Sequence, residues 1–257
     1  MLKLSGKCLY KASKKVLNHL EGLRRRFFCG GTDESKKISW IAWDKVLRNK
    51  KCGGQGIGSL SALNRAMLVK WRWRERTETE VKWATMVRNC NTDFTAGNNS
   101  TRQQGVWNSI FGIENDLRDM GINLSSLMQP SEDRSGWVWL LESSKIYSVR
   151  SLRKLIDGIS LPTADPETEW LRWVPGKANI LLWRVLTNRL ATRDNLQRMG
   201  VTLSTIECPL CHSNFECLDH VMATCSTTKI ISAYLVSWVD WWPGNEHTAE
   251  AIWRRSV

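Results

Sequence analysis

Apolar residues recur along most of this chain at intervals of three and four, the spacing that lines one face of a helix. Over residues 8–28, CLYKASKKVLNHLEGLRRRFF, Val16, Leu20, Leu23 and Phe27 form such a face, and Gly30-Gly31 predicts its end. A short second helix over Trp40 to Arg48 places Trp40, Trp43 and Leu47 together. The segment KKCGGQGIGSL then breaks the period. Its glycines invite a phosphate-cradling reading, but no Gly-Lys-Ser/Thr follows and no strand precedes, so a turn into the next helix is expected. That helix, about Ser61 to Arg76, sets Leu63, Met67 and Trp71 on one stripe and is followed by another around Glu80 to Arg88.

Residues 91–102, NTDFTAGNNSTR, read as a polar loop dividing the chain, with a short helix near Gln104 to Phe111 beyond it. The period then drops to two. Trp137, Trp139 and Leu141 alternate, as do Tyr147 and Val149, across the polar ESSK, which predicts a β-hairpin over WVWLLESSKIYSV. Ser151 is expected to cap a helix to about Asp157. From Asp165 the pattern is helical again: Pro175 opens a helix through Ile180, Trp183, Leu186 and Leu190, Thr192 caps a short one that Gly200 stops, and Ile231, Leu235 and Trp238 mark a last one.

Composition changes this picture in two ways. Trp occurs 15 times against 3 Tyr and 5 Phe, and the formal charge is +12. A strongly basic chain favours polyanionic partners, most often nucleic acid, although a merely Lys-rich surface gives the same balance. The charge is uneven. From Lys36 to Arg88 there are 13 basic residues against 4 acidic, and from Val201 to the end 3 against 6. Phosphate contacts are therefore expected on the helices: Arg72, Arg74 and Arg76 interleaved with Trp71 and Trp73, and Arg184, Arg189, Arg193 and Arg198 further on. The opposing reading buries the tryptophans and leaves the arginines as a solvated face. No apolar signal region opens the chain and no run reaches the length of a membrane span, so a nuclear or cytoplasmic, non-secreted protein with no membrane partner is expected. The scattered Cys8, Cys29, Cys52 and Cys90 show no disulfide framework.

The remaining chemistry is concentrated in residues 208–225, CPLCHSNFECLDHVMATC. Cys208 and Cys211 form a Cys-x2-Cys knuckle, His220 follows after eight residues and Cys225 after four more. Three sulfurs and one imidazole make the closed tetrahedral set that Zn2+ takes in structural sites, leaving no position for a reactive water. Inert buried thiols are the alternative, and a redox pair is disfavoured because no βαβ pattern surrounds it. His212 and Cys217 lie inside the loop, and either is able to replace a member of the set.

Several stretches, in this order, resemble the region downstream of the polymerase core in plant LINE-type (non-LTR) retrotransposon reverse transcriptases, which ends in the reverse transcriptase zinc-binding domain. They are NHLEGLRRRFFCGG with ISWIAWDKV, GGQGIGSLSALNRAMLVKWRWR, SGWVWLLESSKIYSVRSLRKLI, and WVPGKANILLWRVLTNRLATRDNLQRMGV leading into the cysteine cluster. Cys29 stands where that family usually has Trp, Gln55 where it has Leu, and Cys217 where it has Ser or Thr, while all four donor positions are intact. The resemblance implies structural zinc and engagement of RNA or DNA. The polymerase chemistry of such proteins needs paired aspartates to hold metal ions, and this chain has no adjacent Asp-Asp.

The expected fold is thus mainly α-helical with one small β-hairpin and a zinc-stapled C-terminal helical domain. The expected division is a basic Trp-rich segment at 1–90, a polar linker and short helix at 91–135, and hairpin plus zinc-binding domain at 136–257. The expected function is a truncated reverse-transcriptase C-terminal fragment that binds zinc and nucleic acid without polymerase activity of its own. Alternatives are a polymerase fragment active only with a separate catalytic core, and a domesticated protein-interaction module.

Overall fold

The computed structural model describes residues 10–30, 38–91, 106–132, 136–161, 170–171 and 173–239, with the side chains of 87–91, 106, 236, 238 and 239 excepted. The start expected at residue 8, most of the polar loop at 91–102 and the chain beyond 239 lie outside the described residues. The chain forms two compact units, Met1–Thr168 and Glu169–Val257. The linker expected at 91–135 falls within the first unit, and its apolar residues enter that unit's core.

The first unit is built around α3 (Leu60–Thr77). Ser59 caps it, its hydroxyl accepting from the Ala62 amide at 3.0 Å. Its small and branched residues Ala62, Ala66, Leu68 and Val69 face inward, where α8 (Val149–Ser160) supplies Leu152 and Ile156. Ile110 of α5 (Val106–Phe111) and Ile113 and Leu117 of α6 (Ile113–Arg118) complete the packing. Before α3 come α1 (Lys14–Phe28) and the short α2 (Trp43–Leu47). Between α3 and α8 lie α4 (Lys82–Asn91) and α7 (Leu124–Leu127), which runs into β1 (Met128–Pro130).

The hairpin exists, but its partner differs from the expected one. β2 (Trp137–Trp139) pairs antiparallel with β1, Met128 opposite Trp139 and Pro130 opposite Trp137. Residues 146–149 form no strand because Ser148 caps α8, accepting from the Ser151 amide at 3.0 Å, three residues earlier than the expected cap. The ESSK segment still turns, with Lys145 in the left-handed region (φ 57°) and its carbonyl accepting from the Trp139 amide. Trp139 is fully buried, donates its indole N–H to Ser151 Oγ at 2.8 Å and meets the Tyr147 ring edge-on at 4.7 Å. The helix expected from residue 8 starts at Lys14, behind a Ser13 cap, and its row of Val16, Leu20, Leu23 and Phe27 is exposed.

The glycine segment is a turn into α3, as its composition suggests. The amides of Gln55, Gly56 and Gly58 donate to the carbonyls of Val46, Arg48 and Leu47, so the loop folds back on α2 and spends its N–H groups there. Gly58 has φ 67°, and a side chain there would also collide with the Arg153 guanidinium. Two carboxylates fix the join. Glu21 Oε1 accepts from the Leu60 amide at 2.6 Å, and Asp157 Oδ1 accepts from the Ser59 amide at 3.2 Å and its hydroxyl at 2.8 Å. Acids suit the start of a helix, where amides are unsatisfied and the dipole is positive.

The second unit holds α9 (Gly176–Leu186), α10 (Arg193–Arg198) and α11 (Ser226–Val239). Its described apolar core is thin: Val185 and Leu218 with Leu190 against them, and a buried Trp183. Buried amides contribute instead. Asn179 Nδ2 donates to the Leu171 and Val174 carbonyls at 2.9 and 3.0 Å, and Asn195 Nδ2 to Leu190 O and Asn188 Oδ1, each at 3.0 Å. Among the described residues no helix is long and apolar enough to cross a membrane.

Candidate metal centre

The knuckle is shaped by its backbone. A single antiparallel bridge joins Glu207 to Phe215, the Cys208 amide donates to Asn214 O at 2.7 Å, and the His212 amide returns to Cys208 O at 2.9 Å. His212 takes the left-handed conformation (φ 53°) that lets the chain reverse between the two sides, and its own side chain is exposed. The other two donors sit at the ends of a π-helical turn, His220–Thr224, in which the Cys225 amide donates to His220 O at 2.7 Å. An α-helix would leave positions five apart about 140° from one another. The wider turn brings His220 and Cys225 back to one side, which is the local reason for an x4 spacing between them.

Cys208, Cys211, His220 and Cys225 converge. Their four candidate ligand atoms all lie within 4.8 Å of one another, with Cys211 Sγ 3.2 Å from His220 Nε2 and Cys208 Sγ 4.0 Å from Cys225 Sγ. Cys208 and Cys225 are fully buried and His220 nearly so, whereas Cys211 is half-buried. Neither His212 nor Cys217 joins this group. Cys217 Sγ accepts the His220 amide at 3.4 Å, supporting the imidazole's backbone instead of replacing it. The far side of the ring, Nδ1, lies 3.2 Å from Thr224 Oγ1.

The electrostatics separate the two buried thiols. Burial pushes the Cys208 thiol up, against the amides of Cys211 and Leu210. Burial also acts on Cys225, but there the Thr228 and Thr227 amides at the start of α11 outweigh it and bring the thiol down to about 7. Thiolate character therefore gathers where the helix amides face it.

Composition and local period gave no sign of Glu216, which anchors this knuckle to α10. Its carbonyl accepts from the Asp194 amide at 3.2 Å, and its carboxylate from the Arg193 amide at 3.3 Å. Arg193 in turn donates to Glu207 O at 2.8 Å and pairs with Glu216 at 3.5 Å. The other arginines singled out for phosphate are placed as follows. Arg72 is buried, donating to Glu114 at 2.7 Å and to Glu75 at 3.0 Å over the Phe111 ring. Arg74 grips both oxygens of Glu78, at 2.7 and 2.9 Å, and covers Trp71; Arg76 reaches Glu114 and lies over Trp137. Arg184 donates to Arg189 O at 3.2 Å, both residues being half-buried, and Arg198 pairs with Asp194 while 63% of its side chain stays exposed.

Residues 147–231 match the family described as zinc-binding in reverse transcriptase. Two proteins of Arabidopsis thaliana are similar over shorter stretches. One, whose name calls it a ribonuclease H protein, is 36% identical over 74 residues, 29% of this chain and 12% of that protein. The other, an uncharacterized mitochondrial protein, is 32% identical over 66 residues, 25% of this chain and 43% of that protein. The matches thus span less than half the length of either relative. No solved structure matches the chain. The family match and the convergence of three cysteines and a histidine inside it support a zinc-binding, reverse-transcriptase-related region in residues 147–231.

Proposed function

We propose that this chain is a C-terminal region of LINE-type, non-LTR retrotransposon origin, stapled by structural zinc and retaining contact with RNA or DNA. The observation that carries the reading is the buried Cys3His convergence within the matched segment. The donor set fits Zn2+: soft sulfur and imidazole ligands, four in number, drawn from a knuckle and a turn. Cys208, Cys211, His220 Nε2 and Cys225 would hold the ion, which supplies a cross-link and neutralises the thiolates. With Nε2 so engaged, Nδ1–H donates to Thr224, which fixes the tautomer and the ring plane.

The nucleic-acid part rests on the net charge of +12 and on the basic stretches upstream of the knuckle. Lacking any Asp-Asp pair, the chain carries no polymerase site of its own, and a nuclear or cytoplasmic setting suits such a partner. The exposed Ile230, Ile231, Tyr234 and Leu235 of α11 favour a second reading, a protein-interaction module. Purified chain titrated with RNA and DNA oligonucleotides at two salt concentrations, with zinc measured in the same sample, tests both. One zinc per chain and an affinity falling steeply with salt are expected. Absent zinc, or no binding at low salt, would refute the corresponding half, and product in a primer-extension assay would refute the lack of polymerase activity.

A further inference from the structure

The first unit carries a cleft of about 770 Å³ between the glycine segment and α8. Among the described residues five cations line it, Arg48, Lys50, Arg150, Arg153 and Lys154, against one carboxylate, Asp157. Four of these charges come from α8, at positions 150, 153, 154 and 157, the spacing of one helix face, while Leu152 and Ile156 point into the core. They divide by task. Arg153 donates to Ile57 O and lies 3.6 Å from Asp157, which binds Ser59; this pair locks the glycine segment in place. Arg150 and Lys154 are exposed and make no ion pair among the described residues.

Two negatives define what fits. The amides of Cys52, Gly53, Gly54, Gln55, Gly56 and Gly58 are spent on carbonyls of residues 46–50, which disfavours a nucleotide cradled by backbone N–H groups. Among the described residues no aromatic ring lines the cleft, so none of them stacks on a base there. What remains is a row of side-chain cations on a rigid helix, suited to phosphates presented in series. We propose that this cleft binds the phosphodiester backbone of RNA or DNA independently of sequence, with Arg150 and Lys154 as the contacting residues and the Arg153–Asp157 pair holding the glycine segment that forms the facing wall. The site lies in the unit that does not hold the metal centre, and it rests on the nucleic-acid reading given above.

The test is Arg150→Gln with Lys154→Gln in the full chain, titrated against labelled single-stranded RNA and DNA across a salt series. Affinity should fall about tenfold or more at 0.1 M salt, and the slope of log K against log[salt] should become shallower by roughly 1.4, the worth of two contacts on a single strand. Arg150→Lys with Lys154→Arg should retain binding. Lys82→Gln with Arg118→Gln, removing the same charge outside the cleft, should cost much less. If the wild-type chain binds no nucleic acid, the nucleic-acid reading fails and this site with it. If the wild type binds and the cleft variant binds equally, or the control pair loses as much, the site alone is overturned. Displacement of the oligonucleotide by inorganic phosphate at constant ionic strength would reassign the cleft to a small anion. Because both positions are exposed, unchanged circular dichroism is expected to accompany the loss.

Discussion

The two units solve the same stability problem with different means. The first buries Leu68, Ile110, Ile113, Leu117, Trp139, Leu152 and Ile156 with almost no exposure, so transfer of apolar surface from water supplies its driving force. The second buries Trp183 and Val185 but leaves Ile180, Leu181, Ile230, Ile231 and Leu235 exposed among the described residues. Its interior carries asparagine hydrogen bonds and the four converging donors proposed above to hold zinc. Small cores do not offset the chain entropy lost on folding, and structural metal is one of the standard remedies. With the proposed zinc in place, the difference teaches where each unit is expected to break: the first at a large apolar side chain, the second at a ligand.

The sharpest way to separate them is at a buried sulfur. Cys225→Ser should abolish stoichiometric zinc and remove a large part of the metal's contribution to folding, which is on the order of 10 kcal/mol in small zinc modules. Metal analysis with thermal denaturation reads both, and the first unit's transition should be unmoved. The mirror experiment is Trp139→Ala. Loss of that buried indole should cost about 3–5 kcal/mol in the first unit while zinc content stays at one per chain. Zinc lost in Trp139→Ala would show that the units do not fold separately.

Arg72→Met tests an intermediate case. It leaves Glu75 and Glu114 without this partner inside the first unit and should cost about 3 kcal/mol, measured by urea denaturation. A change confined to nucleic-acid affinity, with stability intact, would instead place that guanidinium at the ligand. The smallest effect belongs to Cys217→Ser. Its sulfur accepts one backbone amide outside the donor set, so zinc stoichiometry should hold and stability should shift by about 1 kcal/mol or less.

Local features of the chain were legible in proportion to how local their physics is. Caps and stops such as Thr192 and Gly200 could be read because they act on amides within three residues. The four donors could be read because ligand chemistry restricts residue type as well as spacing. The hairpin partner Met128–Pro130 could not, since three residues ending in a proline carry no alternation and are recruited through backbone pairing alone. The fate of Arg72 was equally hidden. Its partner Glu114 lies 42 positions away, and periodicity is silent about which exposed-looking charge meets its complement. The same holds for the cleft, whose walls come from residues about a hundred positions apart.

On the proposed reading, zinc holds the second unit and apolar burial the first. Hydrogen–deuterium exchange on the full chain, before and after zinc chelation, tests it most directly. Chelation is expected to remove protection from α9, α10, the knuckle and α11 while α3 and α8 keep theirs. Protection of residues 176–239 that survives complete removal of zinc would contradict the account.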